Sequence, residues 1–258
     1  MRVPRYVVCA VALAAAVSGC TLGPGPTSTS GTPPSPSPTV QVSVRWVIDG
    51  DTLDVDGPTG RLRLRLVNVN APEVGRDGAP GECLGAEARD WLRARLPVGT
   101  RVELRTYGVD RFGRTLADVR VDNASLSVAL TRAGFAAPLL VRGLDVVLVD
   151  VEAAAGDAAL AGAGLHSAKV ACTLPGRVAA LTAQAAAVPT VVTPATKAPA
   201  LARLTTMRGV AVAVRAELAA NPAPAGLAAL TDAEVEALDG ALENIESTLR
   251  SRSAAWAP

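Results

Sequence analysis

Three short clusters carry side chains able to do chemistry. Asp49-Gly50-Asp51-Thr52 puts two carboxylates on one turn, an arrangement that suits a hard cation, which takes oxygen ligands. Arg65-Leu66-Val67-Asn68-Val69-Asn70-Ala71-Pro72-Glu73 runs from a strand into a proline-fixed loop ending in a carboxylate. A guanidinium fork matches two oxygens of a phosphate, and Glu73 could accept a proton from water. Asp110-Arg111-Phe112-Gly113-Arg114-Thr115-Leu116-Ala117 is a turn before another strand, with Arg114 as a second clamp. Each cluster also has a plainer reading: an Asp-Gly hairpin turn, a solvated strand face of Arg61, Arg63 and Arg65, and a loop with two arginines. Taken together they fit one reaction, attack on a phosphodiester. Its transition state gathers charge on the equatorial oxygens, where two arginines and a divalent cation would lower the barrier.

The elements that must hold these clusters show in the hydropathy pattern. Val40, Val42, Val44 and Trp46 alternate with polar residues, as do Leu62, Leu64 and Leu66, and two more alternating stretches follow at 101–106 and 115–121; period two is the signature of half-buried strands. Helical segments are expected near 86–96, 126–134 and 146–161. Four or five short strands with three helices predict an α+β fold, a small barrel with helices packed on it. Past Cys172 the Ala, Val, Pro and Thr-rich stretch 176–200 reads as a linker. Residues 201–258 read as a helical hairpin, in which Thr231-Asp232-Ala233-Glu234 has the form of a capping box and Val235, Leu238, Leu242, Ile245 and Leu249 make an apolar stripe. Two helices covering each other's stripes is one reading of that hairpin, and a partner-binding coiled coil the other.

The chain begins with Arg2 and Arg5, an apolar run over 6–17 and then Val17-Ser18-Gly19-Cys20, a targeting segment too short to span a bilayer. The small pair before the cysteine resembles the lipobox of bacterial lipoproteins, which implies a signal peptide over 1–20, cleavage before Cys20 and a lipid anchor on it. A secretory signal with an incidental cysteine also exports the chain. Residues 21–39, nearly all Thr, Ser, Pro and Gly, form a linker that cannot bury apolar surface. Of the four cysteines, Cys9 leaves with the signal and Cys20 carries lipid, so Cys83 and Cys172 remain, an even pair expected to be bridged in an oxidising compartment.

The domain over 40–175 resembles the thermonuclease, or staphylococcal-nuclease-like, family. The likeness rests on Asp49 to Thr52, Arg65 to Glu73, Cys83-Leu84-Gly85-Ala86-Glu87-Ala88, Asp110 to Arg114 and Gly164-Leu165-His166, in the family's order and spacing. The resemblance implies an OB-type five-stranded barrel with three helices that binds one calcium ion. It assigns Asp51, Asn70 and the Ala71 carbonyl as calcium ligands, with Asp49 and Thr52 behind them. Glu73 aligns with the residue that activates water, and Arg65 and Arg114 with the phosphate-binding pair. The chain departs from the pattern in three places. Asn70 stands where a carboxylate belongs, which lowers the charge offered to calcium. Leu139 and Leu140 lie in the run where tyrosines are usual, and His166 stands in place of tryptophan.

Net charge is +1 for the chain, and residues 40–172 hold 16 Arg and Lys against 17 Asp and Glu, so no bulk basic surplus argues for nucleic acid. The expectation is a lipid-anchored, calcium-dependent nuclease on the extracytoplasmic face of a bacterial membrane, acting on DNA or RNA. It needs no obligate protein partner, although the C-terminal helices offer a surface for one. The alternative is a barrel that binds nucleic acid or protein without turnover.

Overall fold

The computed structural model describes residues 38–141 and 143–256; the leader over 1–20 with its Cys20, and nearly all of the linker 21–39, lie outside the described residues. Alternation folds as read, with one change of phase. In β1 (Val40–Val47) Val42, Val44 and Val47 are buried. A bulge between Val44 and Trp46 inserts an extra residue against β2 (Thr52–Gly57) and turns Trp46 out to 52% exposure. The expected inward Trp46 is therefore corrected to a surface residue. β3 (Gly60–Leu66) pairs antiparallel with β2 and carries buried Leu64 and Leu66. A two-residue strand β4 (Val69–Asn70) then leads into the loop before α1 (Gly85–Arg95).

β5 (Arg101–Val109) pairs with β1, and β6 (Thr115–Val121) pairs with β5. The order β3-β2-β1-β5-β6 then closes on itself, because β3 and β6 pair in parallel. The short β7 (Ala124–Ser125), α2 (Leu126–Arg132), β8 (Ala137–Pro138) and α3 (Leu148–Ala161) follow. The barrel core includes Leu53, Val55, Leu64, Leu66 and Leu116, roofed by Leu92 of α1, Leu130 of α2 and Val151 of α3. Each such side chain contributes about 1.5–3 kcal/mol by leaving water. The expected five-stranded OB-type barrel with three helices is what forms.

The C-terminal part differs from the reading. Where a linker was expected over 176–200, the chain makes α4 (Leu174–Ala186) and begins α5 (Pro194–Leu218). After a turn of helix, α6 (Ala225–Ala228), comes α7 (Asp232–Ala255). The hairpin is thus a three-helix bundle: Val178 and Leu181 of α4 join Leu204, Met207 and Val214 of α5 and Leu242, Ile245 and Leu249 of α7 in one core. Its start was encoded locally. The Thr173 side chain accepts the Gly176 N–H at 3.1 Å, and Pro175 sits in the first turn, where its missing N–H costs nothing. The capping box forms as expected, the Thr231 N–H donating to Glu234 Oε2 at 2.8 Å and the Glu234 N–H to Thr231 Oγ1 at 3.2 Å. Cys83 and Cys172 are disulfide-bonded, joining positions 89 residues apart.

Asn68 stitches the strand that bears the central cluster to the segment after β8. It is fully buried with φ 60°, a left-handed conformation that asparagine tolerates better than most residues. Its Nδ2 donates to the Leu144 carbonyl at 2.6 Å, and its Oδ1 accepts the Val147 N–H at 3.1 Å. Asn68→Ala leaves both backbone groups buried without their partners and puts a Cβ-bearing residue with no local hydrogen bond at positive φ. We expect it to lower Tm by roughly 5–10 °C in a thermal melt, at 2–4 °C per kcal/mol for a protein of this size.

Candidate active site

Strand register gathers the three clusters onto one rim of the barrel. Across the antiparallel pair Thr52 lies opposite Arg65, and across the parallel pair Leu64 lies opposite Thr115 and Arg65 opposite Leu116. Asp51 immediately precedes Thr52 and flanks Arg65, and Arg114, immediately before β6, lies close enough to Arg65 to repel it and lines the same cavity. The turn carrying Asp51 can approach closely because Gly50 has no side chain: a Cβ there would lie 2.7 Å from Ala71 Cβ and 2.9 Å from Ala88 Cβ. Asn70 is held by β4, where it pairs with Ala137.

Asp51 and Arg65 form a buried ion pair. Arg65 Nη1 lies 2.8 Å from Asp51 Oδ2, which also accepts the Ala71 N–H at 2.9 Å, while Asp51 Oδ1 accepts the Thr52 hydroxyl at 2.9 Å. The other fork of the same guanidinium, Nη2, donates to Asn70 Oδ1 at 3.2 Å. Asp51 and Asn70 therefore converge on one cationic group, with the Ala71 N–H steadying the Asp51 carboxylate from behind. Arg114 is held by Asp110, whose Oδ2 accepts from Arg114 Nε at 2.7 Å while its Oδ1 accepts the Phe112 and Arg114 N–H groups at 2.8 and 2.9 Å. Arg114 Nη1 also reaches Thr52 Oγ1 at 3.4 Å. Beside these arginines opens a cavity of about 600 Å³, with Arg65, Arg111 and Arg114 on its polar side and Phe112, Leu116, Leu139 and Val141 on its apolar side.

Glu73 stands at the exposed edge of the rim. Loss of water around it, a hydrogen bond shared with Asp49 and the charges of Asp49 and Asp51 push its carboxyl up to about 7, against the pull of Arg65. Burial, together with the neighbouring Arg114, draws the Arg65 guanidinium below its ordinary value, while Asp51 opposes the shift. Asp49 itself is buried and paired with Arg76 at 2.9 Å. Arg61 and Arg63, on the same strand as Arg65, take no part in the rim and pair with buried Asp54 of β2. His166 is also elsewhere, its Nδ1 2.9 Å from Glu234 Oε1 of α7.

The donor set fits a hard divalent cation. All the candidate ligands are oxygens, and the charges of Asp49 and Asp51 add to the loss of water in raising the Glu73 carboxyl to about 7, a repulsion that a cation relieves. Among the described residues no three His, Cys, Asp or Glu side chains converge as a complete ligand cluster. Of the residues that the resemblance assigns as calcium ligands, Asp51 and Asn70 both turn a side-chain oxygen toward Arg65. Reading the sequence residue by residue missed Asp110 and Arg76 as the partners that orient Arg114 and Asp49. For Asp110 the signal was present, an acid four residues before the arginine in a glycine turn; for Arg76, in an irregular loop, there was none.

A five-stranded barrel with an arginine pair and clustered carboxylates on one rim defines an OB-type domain with a polar site at its rim. The family model described as Staphylococcal nuclease homologue matches residues 63–155, and this part of the chain is a staphylococcal-nuclease-like domain. The chain is 35% identical over 91 residues to a thermonuclease of Staphylococcus hyicus, covering 35% of this chain and 54% of that protein. It is 33% identical over 94 residues to a thermonuclease of Staphylococcus intermedius, covering 36% and 56%. To an uncharacterized endonuclease of Escherichia coli O157:H7 it is 34% identical over 91 residues, covering 35% and 55%. The chain thus spans about half the length of the curated relatives it matches.

Because Asp49 disfavours the charged form of Glu73, Asp49→Asn removes a like charge and lowers the Glu73 pKa from about 7 toward its ordinary 4.5. A carboxyl-carbon NMR titration in the presence of chelator checks this. A Glu73 midpoint that stays near 7 in the variant rules Asp49 out as a cause.

Proposed function

We propose that this chain is a calcium-dependent nuclease that hydrolyses phosphodiester bonds of DNA or RNA outside the cytoplasm, held at the membrane by a lipid on Cys20. The observation that carries the catalytic part is the shared rim. Arg65 and Arg114 stand on adjoining strand ends with Asp51 between Arg65 and the Thr52 hydroxyl, and Glu73 lies within electrostatic reach of Asp51 and Arg65. The thermonucleases and endonuclease among the relatives lend the same direction.

In this reading Arg65 and Arg114 grip the non-bridging oxygens of the scissile phosphate and hold the charge that builds there. That charge exceeds the charge of the ground state, so the grip tightens as the transition state forms. Glu73 takes a proton from the attacking water. With its pKa near 7 it is ionised enough at neutral pH to act and basic enough to be useful. Asp110 fixes the Arg114 fork, and Asp51 and Asn70 fix the Arg65 fork, so neither arginine needs to reorganise when substrate arrives. Calcium, held by Asp51, Asn70 and the Ala71 carbonyl, supplies electrostatic stabilisation of the phosphate oxygens. The amide at Asn70 contributes no charge, so calcium is held more weakly than a second carboxylate would hold it. That same feature favours the second reading, a binding module without turnover.

Digestion of plasmid DNA and RNA by the purified chain separates these readings. Calcium is expected to support cleavage and chelator to stop it, Glu73→Gln to lower kcat by about 10²–10⁴, and Asn70→Asp to lower the calcium concentration needed. Cleavage indifferent to chelator and to Glu73→Gln refutes the enzymatic proposal. Calorimetric binding of a nucleotide bisphosphate with no cleavage supports the binding module.

The anchoring proposal rests on the Val17-Ser18-Gly19-Cys20 sequence and the Pro, Ser and Thr-rich stretch behind it. Cys20→Ala is expected to abolish incorporation of labelled fatty acid and to move the protein out of the membrane fraction. Membrane retention of an unlabelled variant counts against the lipid.

A further inference from the structure

The loop that presents Glu73 is closed on itself and bolted from behind by the C-terminal part of the chain. Its two ends meet in a reciprocal pair: the Glu73 N–H donates to Glu82 Oε2 at 2.9 Å, and the Glu82 N–H donates to the Glu73 carbonyl at 2.9 Å. Gly85 lies against the same carbonyl, so closely that a Cβ would stand 2.4 Å from it. The first of these hydrogen bonds is open to solvent, where such bonds add little net stability. By themselves they leave the loop closed by a small margin.

The next two residues add what the pair lacks. Cys83 is bonded to Cys172, one residue before the Thr173 cap that starts α4 of the bundle. Leu84 has φ 66°, a left-handed conformation that is a genuine outlier for a bulky side chain and costs about 1–2 kcal/mol. It persists because Leu84 is buried in a small cluster with Leu165, Ala137 and Ala229, bordered by Phe135 and Val170. Ala229 follows α6, inside the C-terminal helical part. The Glu234 carboxylate that meets His166 fixes the same region a second time. The turn after Glu82 is thus held in a strained form by contacts that come from outside the barrel.

We propose that Glu82 is a positioning residue for Glu73, and that the C-terminal bundle, acting through Cys172 and Ala229, is the brace that keeps Glu82 in place. This rests on Glu73 being the general base. Proton transfer demands hydrogen-bond reach, and displacement of about 1 Å can cost about a hundredfold in rate. The helices are then part of the working site.

The test uses the full chain, purified in detergent, with Glu82→Ala, Glu82→Gln and the double variant Cys83→Ser/Cys172→Ser, each also combined with Glu73→Gln. Digestion of a DNA oligonucleotide in saturating calcium gives kcat and KM, and hydrogen exchange reports on the Glu73 amide. Glu82→Ala and the cysteine variant are expected to lower kcat by about ten- to a hundredfold with KM little changed, and to speed Glu73 exchange. Glu82→Gln keeps most of the rate, because its amide oxygen still accepts the Glu73 N–H. On the Glu73→Gln background none of the three lowers kcat further, since a residue that acts through Glu73 has nothing left to act through. Unchanged kcat in both Glu82→Ala and the cysteine variant overturns the proposal, as does a loss that persists undiminished without Glu73. If the cysteine variant fails to fold by circular dichroism, the Glu82 pair decides. Full activity in Glu73→Gln alone refutes the general base itself, a failure visible before any Glu82 variant is compared.

Discussion

The candidate site depends on one pairing, the parallel closure of β3 on β6. A parallel contact between strands far apart in sequence has no turn to set its register, so the register comes from which side chains are buried. Leu64 and Leu66 on β3 and Leu116 on β6 are all buried, and a slip by one residue would expose each of them while driving charged neighbours inward. The apolar layers therefore also fix the polar one. With Arg65 opposite Leu116, the turn just before β6 comes to the same rim as Arg65, so that two arginines 49 positions apart border one cavity.

Once that rim is set, its charge balance follows. Burying Asp51 and Arg65 together is costly unless each finds every partner it needs. Asp51 has three, and Arg65 reaches Asp51, Asn70 and the Leu66 carbonyl. Arg65 is therefore placed before any ligand arrives, with two of its three contacts among the residues that would also hold a cation. Asn70 makes this sharing easier. An amide accepts one fork of the guanidinium without adding a third negative charge beside Asp49 and Asp51, at the expense of attraction for the metal. Glu73, at the edge and short of neutralising partners, bears the remaining repulsion as its raised pKa.

Much of this could be read in advance. Period-two alternation gave the strands because one face of each is buried, and Asp-Gly-Asp and Asp-Arg-Phe-Gly-Arg declared themselves because turns need particular residues. Trp46 was misplaced since a bulge leaves no mark on the hydropathy pattern. Helix α4 was taken for linker because alanine dilutes its stripe: Leu174, Val178, Leu181 and Ala185 are buried at helical spacing, yet the segment's composition resembles that of the chain around it. What no local pattern could show is contact at a distance. The hold of Asn68 on Leu144 and Val147, and that of Ala229 on Leu84, exist only once segments 76 to 145 positions apart have met.

The overall charge also looks different beside the structure. A barrel region with 16 basic and 17 acidic residues presents no attractive field at long range, and at physiological salt exposed charges act over only about 8 Å. Many of the basic groups are spent on neighbours, Arg45 on Asp56, Arg61 and Arg63 on Asp54, Arg120 on Asp118. The cavity gathers three arginines, Arg65, Arg111 and Arg114, against one acid in its lining, Asp110, with Phe112, Leu116, Leu139 and Val141 as its apolar lining. Low-dielectric walls focus a local field that the sum over the surface conceals. A phosphate is then drawn only when it is already near, by a few groups whose geometry is fixed. In the proposed nuclease such a site would separate turnover from adhesion: the chain would not need to cling to nucleic acid along its surface in order to cut it.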